Sequence, residues 1–349
     1  MKTIFAVDDT DTTLTIVERA LENYYRVVTM ASASKMFDLL EKITPDLILL
    51  DIEMPEIDGF SALKKLKADS SYANIPVMFL TGYTDTAIEV SGFEIGAVDF
   101  ITKPFSASVL LNRIRTHLDI EEIIHERTLR LTQLQNSVVS VLANMVENRD
   151  KETGDHIERT SMYIKILIDG MKANGVYFNE LNSWDVEKII TSARMHDLGK
   201  ISISDSIINK PGRLTDEEFE IMKSHTTMGE KIIDEIIAQN GEVDFLNYAK
   251  LFAGFHHERW DGKGYPRGVK ELDIPLQGRI MAIADVYDAL VSERPYKKPF
   301  LHDEAVKIIM ESAGMQYDPK IAEIFYKLKD KFAKITTDKQ SQAEKSTIN

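Results

Sequence analysis

The sequence contains no cysteine among its 349 residues. A disulfide framework and thiolate ligands are therefore excluded, and any metal site must use imidazole, carboxylate and water. Long apolar runs are also absent: no stretch approaches the length of a bilayer span, and the apolar stretch at the start is too short for a signal peptide. We expect a soluble cytoplasmic protein with no membrane insertion.

Positive charge is scarce as well, because Asp and Glu outnumber Lys and Arg by 56 to 42 and give a net charge of −14. Such a chain disfavours broad contact with a nucleic-acid backbone, so we expect no DNA binding. The composition is otherwise that of a globular protein, with 44% hydrophobic and 28% charged residues. The length favours more than one domain.

Residues 1–119 alternate short apolar runs with amphipathic stretches, which predicts alternating strands and helices. The run Leu47–Leu50 is apolar without alternation, as expected of a strand that helices bury on both faces. We therefore predict an α/β, flavodoxin-like domain with a five-stranded parallel sheet. The predicted strands are Thr3–Val7, Val27–Met30, Asp46–Leu50, Ile75–Leu80 and Val98–Ile101.

Polar side chains stand at the carboxyl ends of these strands, where parallel sheets gather ligands. They are Asp8 and Asp9, Asp51, Thr81 and Lys103. Three carboxylates held close together repel one another unless a hard cation lies among them, which predicts a Mg²⁺ site. Asp51 could then attack a phosphoryl group, while Thr81 and Lys103 stabilise its oxygens. Single Asp residues are common in turns, but five such positions together favour the site.

Four segments of this region resemble a response-regulator receiver domain: Val-Asp-Asp, Leu-Asp-Ile-Glu-Met-Pro, Leu-Thr-Gly and Thr-Lys-Pro-Phe. The resemblance implies that Asp51 accepts a phosphoryl group from a histidine kinase. It further implies that Thr81 and Phe100 are switch residues, and that Lys103 precedes a cis Pro104.

Residues 120–146 follow a heptad pattern interrupted by Arg127, which is typical of a coiled-coil-like helix. We predict that this signalling helix forms a homodimer; the alternative is an amphipathic helix that packs on its own domain. The apolar stripe contains Ile120, Ile124, Leu131, Leu134, Val138, Val141 and Met145.

Residues 147–333 are almost wholly helical in pattern, which predicts an all-α bundle. Residues 334–349 are polar and rich in Thr, Ser, Lys and Gln, and we predict that they form a disordered tail.

Histidines and carboxylates of the helical region lie at spacings typical of metal ligands. Glu152 and His156 are four residues apart, as are neighbours on one helix face. Adjacent helical residues point about 100° apart, so the pairs His196-Asp197 and His256-His257 suit a cluster of metals better than one ion. A lone histidine is more often structural, but the set favours a metal centre. The full set is Glu152, His156, His196, Asp197, His225, His256, His257 and Asp285.

These residues lie in segments that resemble the HD-GYP subfamily of HD-domain phosphohydrolases: Glu-Thr-Gly-Asp-His, His-Asp-Leu-Gly-Lys, His-His-Glu-Arg-Trp-Asp-Gly-Lys-Gly-Tyr-Pro and Arg-Pro-Tyr-Lys. The resemblance implies that all eight residues are metal ligands, that Asp197 bridges two ions, and that Glu152 can serve a third. It favours iron, sometimes manganese, and a hydrolase that converts cyclic di-GMP to linear pGpG, GMP or both.

Basic residues near the predicted metals could hold the substrate. Lys200 follows His196 and Asp197 by about one helical turn and could neutralise the scissile phosphate, while Arg294 and Lys297 could bind the other phosphates. The alternative for Arg294 and Lys297 is a solvated basic surface. The resemblance also implies that the Gly264-Tyr265-Pro266 loop borders the active site and can contact partners such as diguanylate cyclases.

Other functions remain open from the sequence. A catalytically silent regulator that binds cyclic di-GMP or a cyclase would lack a ligand, whereas no ligand is missing here. Other HD-domain enzymes hydrolyse nucleoside phosphates, and cyclic GMP-AMP is a related substrate. For control, the sequence suggests that phosphorylation of Asp51 changes helix packing in a dimer and thereby access to the metals.

Overall fold

The computed structural model describes residues 1–82, 86–149, 155–292 and 298–347, with side chains described as far as Thr336. The chain divides into two compact units, Met1–Leu131 and Thr132–Asn349. The division falls inside one long helix that begins in the first unit and ends in the second.

The described part of the first unit contains a five-stranded parallel sheet, as the sequence predicts. Its strands are β1 (Thr3–Val7), β2 (Arg26–Met30), β3 (Leu47–Asp51), β4 (Val77–Thr81) and β5 (Asp99–Thr102). They lie in the order β2-β1-β3-β4-β5. β4 begins two residues later than predicted, because Pro76 has no N–H to donate to the ladder.

Helices cover both faces of the sheet, and each face has its own apolar core. On β3, Ile48 and Leu50 face one core while Leu47 and Leu49 face the other, which explains the unbroken apolar run. The helices are α1 (Asp11–Leu21), α2 (Ala33–Leu40), α3 (Gly59–Ala68), α4 (Thr86–Glu94) and α5 (Ala107–Arg149).

The helix α5 is continuous over 43 residues, whereas the heptad pattern predicts a separate helix that begins at Ile120. No glycine or proline interrupts residues 107–149, so nothing in the chain ends the helix at the edge of the first unit. All seven residues of the predicted heptad stripe are exposed, by 45% to 66%. Within the second unit α5 packs through other positions, Val139, Ala143 and Val146. The helix therefore packs on the second unit through a different face from the one that carries the stripe.

The described part of the second unit is a helical bundle, as predicted. Its helices are α6 (His156–Ala173), α7 (Phe178–Asn182), α8 (Val186–Ala193), α9 (Asp205–Ile208), α10 (Asp216–Lys223), α11 (His225–Asn240), α12 (Asp244–Phe255), α13 (Leu276–Val291), α14 (His302–Glu311) and α15 (Pro319–Thr347). Short 3₁₀ helices span Leu198–Ser202 and Glu271–Asp273. None of the helices in the described ranges is both long and apolar enough to span a membrane.

Aromatic rings fill the core where α6, α13 and α15 meet. Phe332 stacks on Tyr163 with centroids 4.7 Å apart, and it meets Tyr287 and Phe325 edge-on at 5.2 and 4.9 Å. All four side chains are fully buried. This core fixes α6 and α13, the two helices that carry His156 and Asp285.

The prediction of a disordered tail from residue 334 is wrong for the residues that follow Ala333. α15 continues to Thr347, and Ile335 packs against the aromatic core. The hydroxyl oxygens of Thr336 and Tyr163 lie 3.0 Å apart. The polar composition of the segment concealed these two contacts.

We expect Phe332→Ala to lower the free energy of unfolding by about 3 to 5 kcal/mol, because it removes a fully buried ring. Urea denaturation followed by circular dichroism measures this loss. Tyr326→Ala on the same helix is the control, since that ring is exposed and should change the value by less than about 1 kcal/mol. Equal losses in both variants would contradict the assignment of the core.

Candidate metal centre and acidic strand-end site

The acidic site predicted at the carboxyl edge of the sheet is assembled in the structure. Asp8, Asp9 and Asp51 each offer a carboxylate oxygen, and these oxygens lie within 4.8 Å of one another. The Lys103 ammonium lies 2.6 Å from Asp8 Oδ2 and 2.8 Å from Asp51 Oδ1. The peptide bond between Lys103 and Pro104 is cis, as expected.

The charges in this site favour a cation. Burial raises the pKa of Asp51, the bond from Lys103 offsets part of the rise, and the charge of Asp8 adds to it. One ammonium faces three carboxylates, so negative charge is in excess. The arrangement suits Mg²⁺, which binds oxygen ligands.

The two predicted switch residues are buried. Thr81 is the last residue of β4 and is 1% exposed. The Phe100 ring is turned inward, with centroids 5.3 Å from Phe79 and 5.0 Å from Phe93. A Cβ on Gly92 of α4 would lie 2.3 Å from this ring, so glycine is needed for the inward position.

In the second unit, the first group of candidate metal ligands contains His156, His196 and Asp285, whose ligand atoms lie within 4.8 Å of one another. His156 is the first residue of α6, His196 follows α8, and Asp285 lies on α13. His156 Nε2 is 3.5 Å from Asp285 Oδ1.

The second group contains His225, His256 and His257, again within 4.8 Å. His225 begins α11 and its Nε2 lies 3.3 Å from His256 Nε2. His256 and His257 directly follow α12, which ends at Phe255, and their ring centroids lie 4.0 Å apart. Both imidazoles therefore offer a ligand atom to the same group.

Asp197 lies between the two groups. Its Oδ1 is 3.4 Å from His225 Nε2 and 3.6 Å from His256 Nε2, while its Oδ2 is 3.4 Å from His196 Nε2. Oδ2 is also 2.9 Å from the Lys200 ammonium. The nitrogen–oxygen distances exceed those of good hydrogen bonds, and they match the spacing of atoms around a shared ion at about 2.1 Å.

Backbone carbonyls hold the imidazoles in one orientation. His196 Nδ1 lies 3.0 Å from the carbonyl oxygen of Ala193, and His225 Nδ1 lies 2.7 Å from that of Met222. His256 Nδ1 lies 2.9 Å from the carbonyl oxygen of Phe252. A carbonyl only accepts, so each Nδ1 carries the proton and each Nε2 presents a lone pair to the site.

The electrostatics of the site favour bound cations. Burial lowers the pKa of His225 to about 4, so this imidazole is neutral and able to bind a metal near neutral pH. Burial alone would raise the pKa of Asp197, but Lys200 and His196 hold it well below its ordinary value. Among the described residues, His196 Nε2 and Asp197 Oδ1 are buried without a hydrogen-bond partner. Divalent ions satisfy such atoms, and the residues present therefore fit a metal centre.

Asp288 is a functional residue that the sequence analysis missed. Its Oδ2 lies 2.8 Å from His156 Nδ1, and it also pairs with Arg159, whose Nε lies 2.6 Å from Oδ1. Asp288 therefore orients His156 as the carbonyls orient the other imidazoles. Its place three residues after Asp285, on the same helix face, is the signal that could have revealed it.

Glu147 near the end of α5 was also missed. It is 6% exposed and lines the same small cavity as His156, His196 and Lys200. The helix that begins in the first unit thus ends beside the candidate metal ligands of the second.

Three predicted site residues, Glu152, Arg294 and Lys297, lie outside the described residues. The described candidate ligands of the metal centre fall into the two groups that Asp197 joins, and Asp8, Asp9 and Lys103 lie close to Asp51.

Comparison with known proteins places both units in families. Residues 4–115 match the response regulator receiver domain, and residues 140–321 match the HD domain. The chain belongs to the HD-domain family and carries an N-terminal receiver domain. A receiver domain implies a phosphodonor such as a histidine kinase, and an HD domain implies divalent metal binding.

Relatives with known names align over most of their length. A probable cyclic di-GMP phosphodiesterase of Vibrio cholerae is 38% identical over 338 residues, covering 93% of this chain and 77% of the relative. The cyclic di-GMP phosphodiesterase of Thermotoga maritima is 35% identical, with 93% and 90% covered. The cyclic di-GMP phosphodiesterase response regulator RpfG of Xanthomonas campestris is 32% identical, with 91% and 85% covered.

We expect Asp288→Asn to weaken metal binding about 10- to 100-fold, because it loses the charge that orients His156. Metal titration of the chelator-treated protein, followed by metal analysis, measures the change. Asp303→Asn is the control, since this carboxylate is exposed on α14. Unchanged metal affinity in a folded Asp288→Asn protein would show that the bond to His156 has no such role.

Proposed function

We propose that the protein is a response regulator whose HD domain hydrolyses cyclic di-GMP to linear pGpG, GMP or both. The observation that carries the proposal is the central position of Asp197, which lies between two groups of inward-facing ligands. The named relatives support the choice of substrate.

In this proposal the ligands of the metal centre are His156, His196, Asp197, His225, His256, His257 and Asp285, with Glu152 as a further ligand. Asp197 is the residue that two bound ions would share, and Glu152 would be available to a third. Nitrogen and oxygen ligands with several carboxylates suit iron or manganese at least as well as zinc, and the resemblance to the HD-GYP subfamily favours iron. Bound ions supply Lewis acidity, which activates water for attack on phosphorus and neutralises charge on phosphate oxygens.

The chain's own residues position the substrate. Lys200 is catalytic in this proposal: its ammonium, 14% exposed and held 2.9 Å from Asp197, faces the scissile phosphate and stabilises the charge that develops there. Arg294 and Lys297 bind the remaining phosphates. The Gly264-Tyr265-Pro266 loop is a contact for a diguanylate cyclase partner.

In this proposal α5 couples phosphorylation of the receiver domain to the activity of the metal centre. Phosphorylation of Asp51, with Thr81 and Phe100 as switch residues, alters helix packing in a homodimer formed by the exposed heptad stripe. Two features support this route: α5 is continuous from Ala107 to Arg149, and its last turns place Glu147 in the cavity of the metal site.

We expect the iron- or manganese-loaded protein to convert cyclic di-GMP to pGpG or GMP under anaerobic conditions, as followed by chromatography. A double variant, His196→Ala with Asp197→Ala, should be inactive because both groups lose a ligand. Cyclic GMP-AMP and a nucleoside triphosphate serve as competing substrates. Tight binding of cyclic di-GMP without turnover at full metal occupancy would favour the silent regulator instead.

We expect a phosphoryl mimic such as beryllofluoride to change both turnover and dimer affinity of the wild type, because it occupies the site around Asp51. Asp51→Asn should show neither change. Leu134→Glu should weaken the dimer, since Leu134 is 59% exposed on the stripe, whereas Ile16→Glu on α1 should not. Equal turnover and equal dimer affinity for Asp51→Asn and the treated wild type would exclude this route of control.

A further inference from the structure

An aromatic ring lies next to the candidate metal centre, on its solvent side. The Tyr265 ring lies 4.7 Å from the His257 ring, at an interplanar angle of 31°, and 6.5 Å from the His225 ring. Tyr265 is partly exposed, so it forms a boundary between the buried ligands and solvent.

The helix α10 places two more side chains against Tyr265. Phe219 meets it edge-on with centroids 6.3 Å apart, and the Lys223 ammonium lies 5.1 Å from the Phe219 centroid and 5.7 Å from that of Tyr265. Phe219 and Lys223 are four residues apart on one face of the helix. We name Phe219, Lys223 and Tyr265 the α10 platform.

Local contacts stabilise the N-terminus of α10. Thr215 and Glu218 form a capping box, and the Lys210 ammonium pairs with Glu218. Phe219 is 46% exposed, so part of its ring remains accessible beside the Lys223 ammonium. Lys223 also pairs with the exposed Glu220, but an ammonium has three donors and can serve a second acceptor.

We infer that the α10 platform binds a guanine base of the substrate, an inference that rests on the proposed function. A base offers a flat face that stacks on an aromatic ring, and this contact contributes about 1 to 3 kcal/mol. Guanine also presents O6 and N7, two acceptors that a lysine ammonium recognises. The platform adjoins the metal centre through Tyr265, whose ring centroid lies 4.7 Å from that of His257. A phosphodiester bound at the metal centre would therefore bring an attached base to the platform.

The test compares two ligands that differ only by the base, guanosine 5′-monophosphate and ribose 5-phosphate. Calorimetric titration of the metal-loaded protein should give about tenfold tighter binding of the guanosine ligand. Phe219→Ala and Lys223→Ala should each remove most of this difference. Phe219→Tyr keeps an aromatic face and should retain it, while Phe219→Leu keeps apolar volume without the face and should not.

Kinetics give a second readout. The Phe219 and Lys223 variants should raise KM for cyclic di-GMP about tenfold, with the metal content unchanged. The matched control is the exposed pair Tyr326 and Lys329, whose ammonium lies 4.8 Å from the ring centroid on α15. Tyr326→Ala and Lys329→Ala should change neither readout.

The outcomes separate this inference from the function on which it rests. In the contradicting result, Phe219→Leu and Lys223→Ala hydrolyse cyclic di-GMP with the wild-type KM and still bind guanosine 5′-monophosphate more tightly than ribose 5-phosphate by the wild-type factor. That result would overturn the role of the platform and leave the proposed phosphodiesterase function intact. Failure of the metal-loaded wild type to hydrolyse cyclic di-GMP would overturn the proposed function itself.

Discussion

Carbonyls near the ends of α8, α10 and α12 orient the imidazoles on which the metal centre depends. A backbone carbonyl has two lone pairs, so one in the last turn of a helix can accept a hydrogen bond from a side chain. Around these ends His196, His225 and His256 bond the carbonyls of Ala193, Met222 and Phe252 through Nδ1. Each bond fixes the tautomer and directs Nε2 toward Asp197. One local interaction, repeated at three helix ends, therefore determines which atoms can bind an ion.

Close packing brings these helix ends together. A Cβ on Gly199, in the 3₁₀ helix after Asp197, would lie 1.8 Å from the carbonyl oxygen of His225. A Cβ on Gly229 of α11 would lie 3.1 Å from the Cβ of Ala253 on α12, which is also a tight contact. Small residues thus allow three backbone segments to approach, and the ligands they carry meet around one carboxylate. The aromatic core of α6, α13 and α15 fixes the two helices that carry His156 and Asp285.

The sequence predicted those features that depend on local pattern. Apolar runs predicted the five strands. Polar residues at the strand ends predicted the residues that meet around Asp51, and the spacing of histidines and carboxylates predicted those that meet around Asp197. Features that depend on where a helix stops were harder to predict. α5 passes through the expected boundary at Ile120. The spacing of Asp288 from Asp285 shows that the two share a helix face, but the contact of Asp288 with His156 depends on how α6 and α13 pack across the bundle.

Asp197 lies between two groups of candidate ligands whose imidazoles are already oriented. Anomalous X-ray diffraction from crystals of the manganese-loaded protein would locate the ions relative to this carboxylate. We predict one anomalous peak beside the Nε2 atoms of His225 and His256, and a second between His196 and Asp285, with Asp197 next to both. A fully loaded, active protein whose anomalous peaks lie away from Asp197 would contradict it.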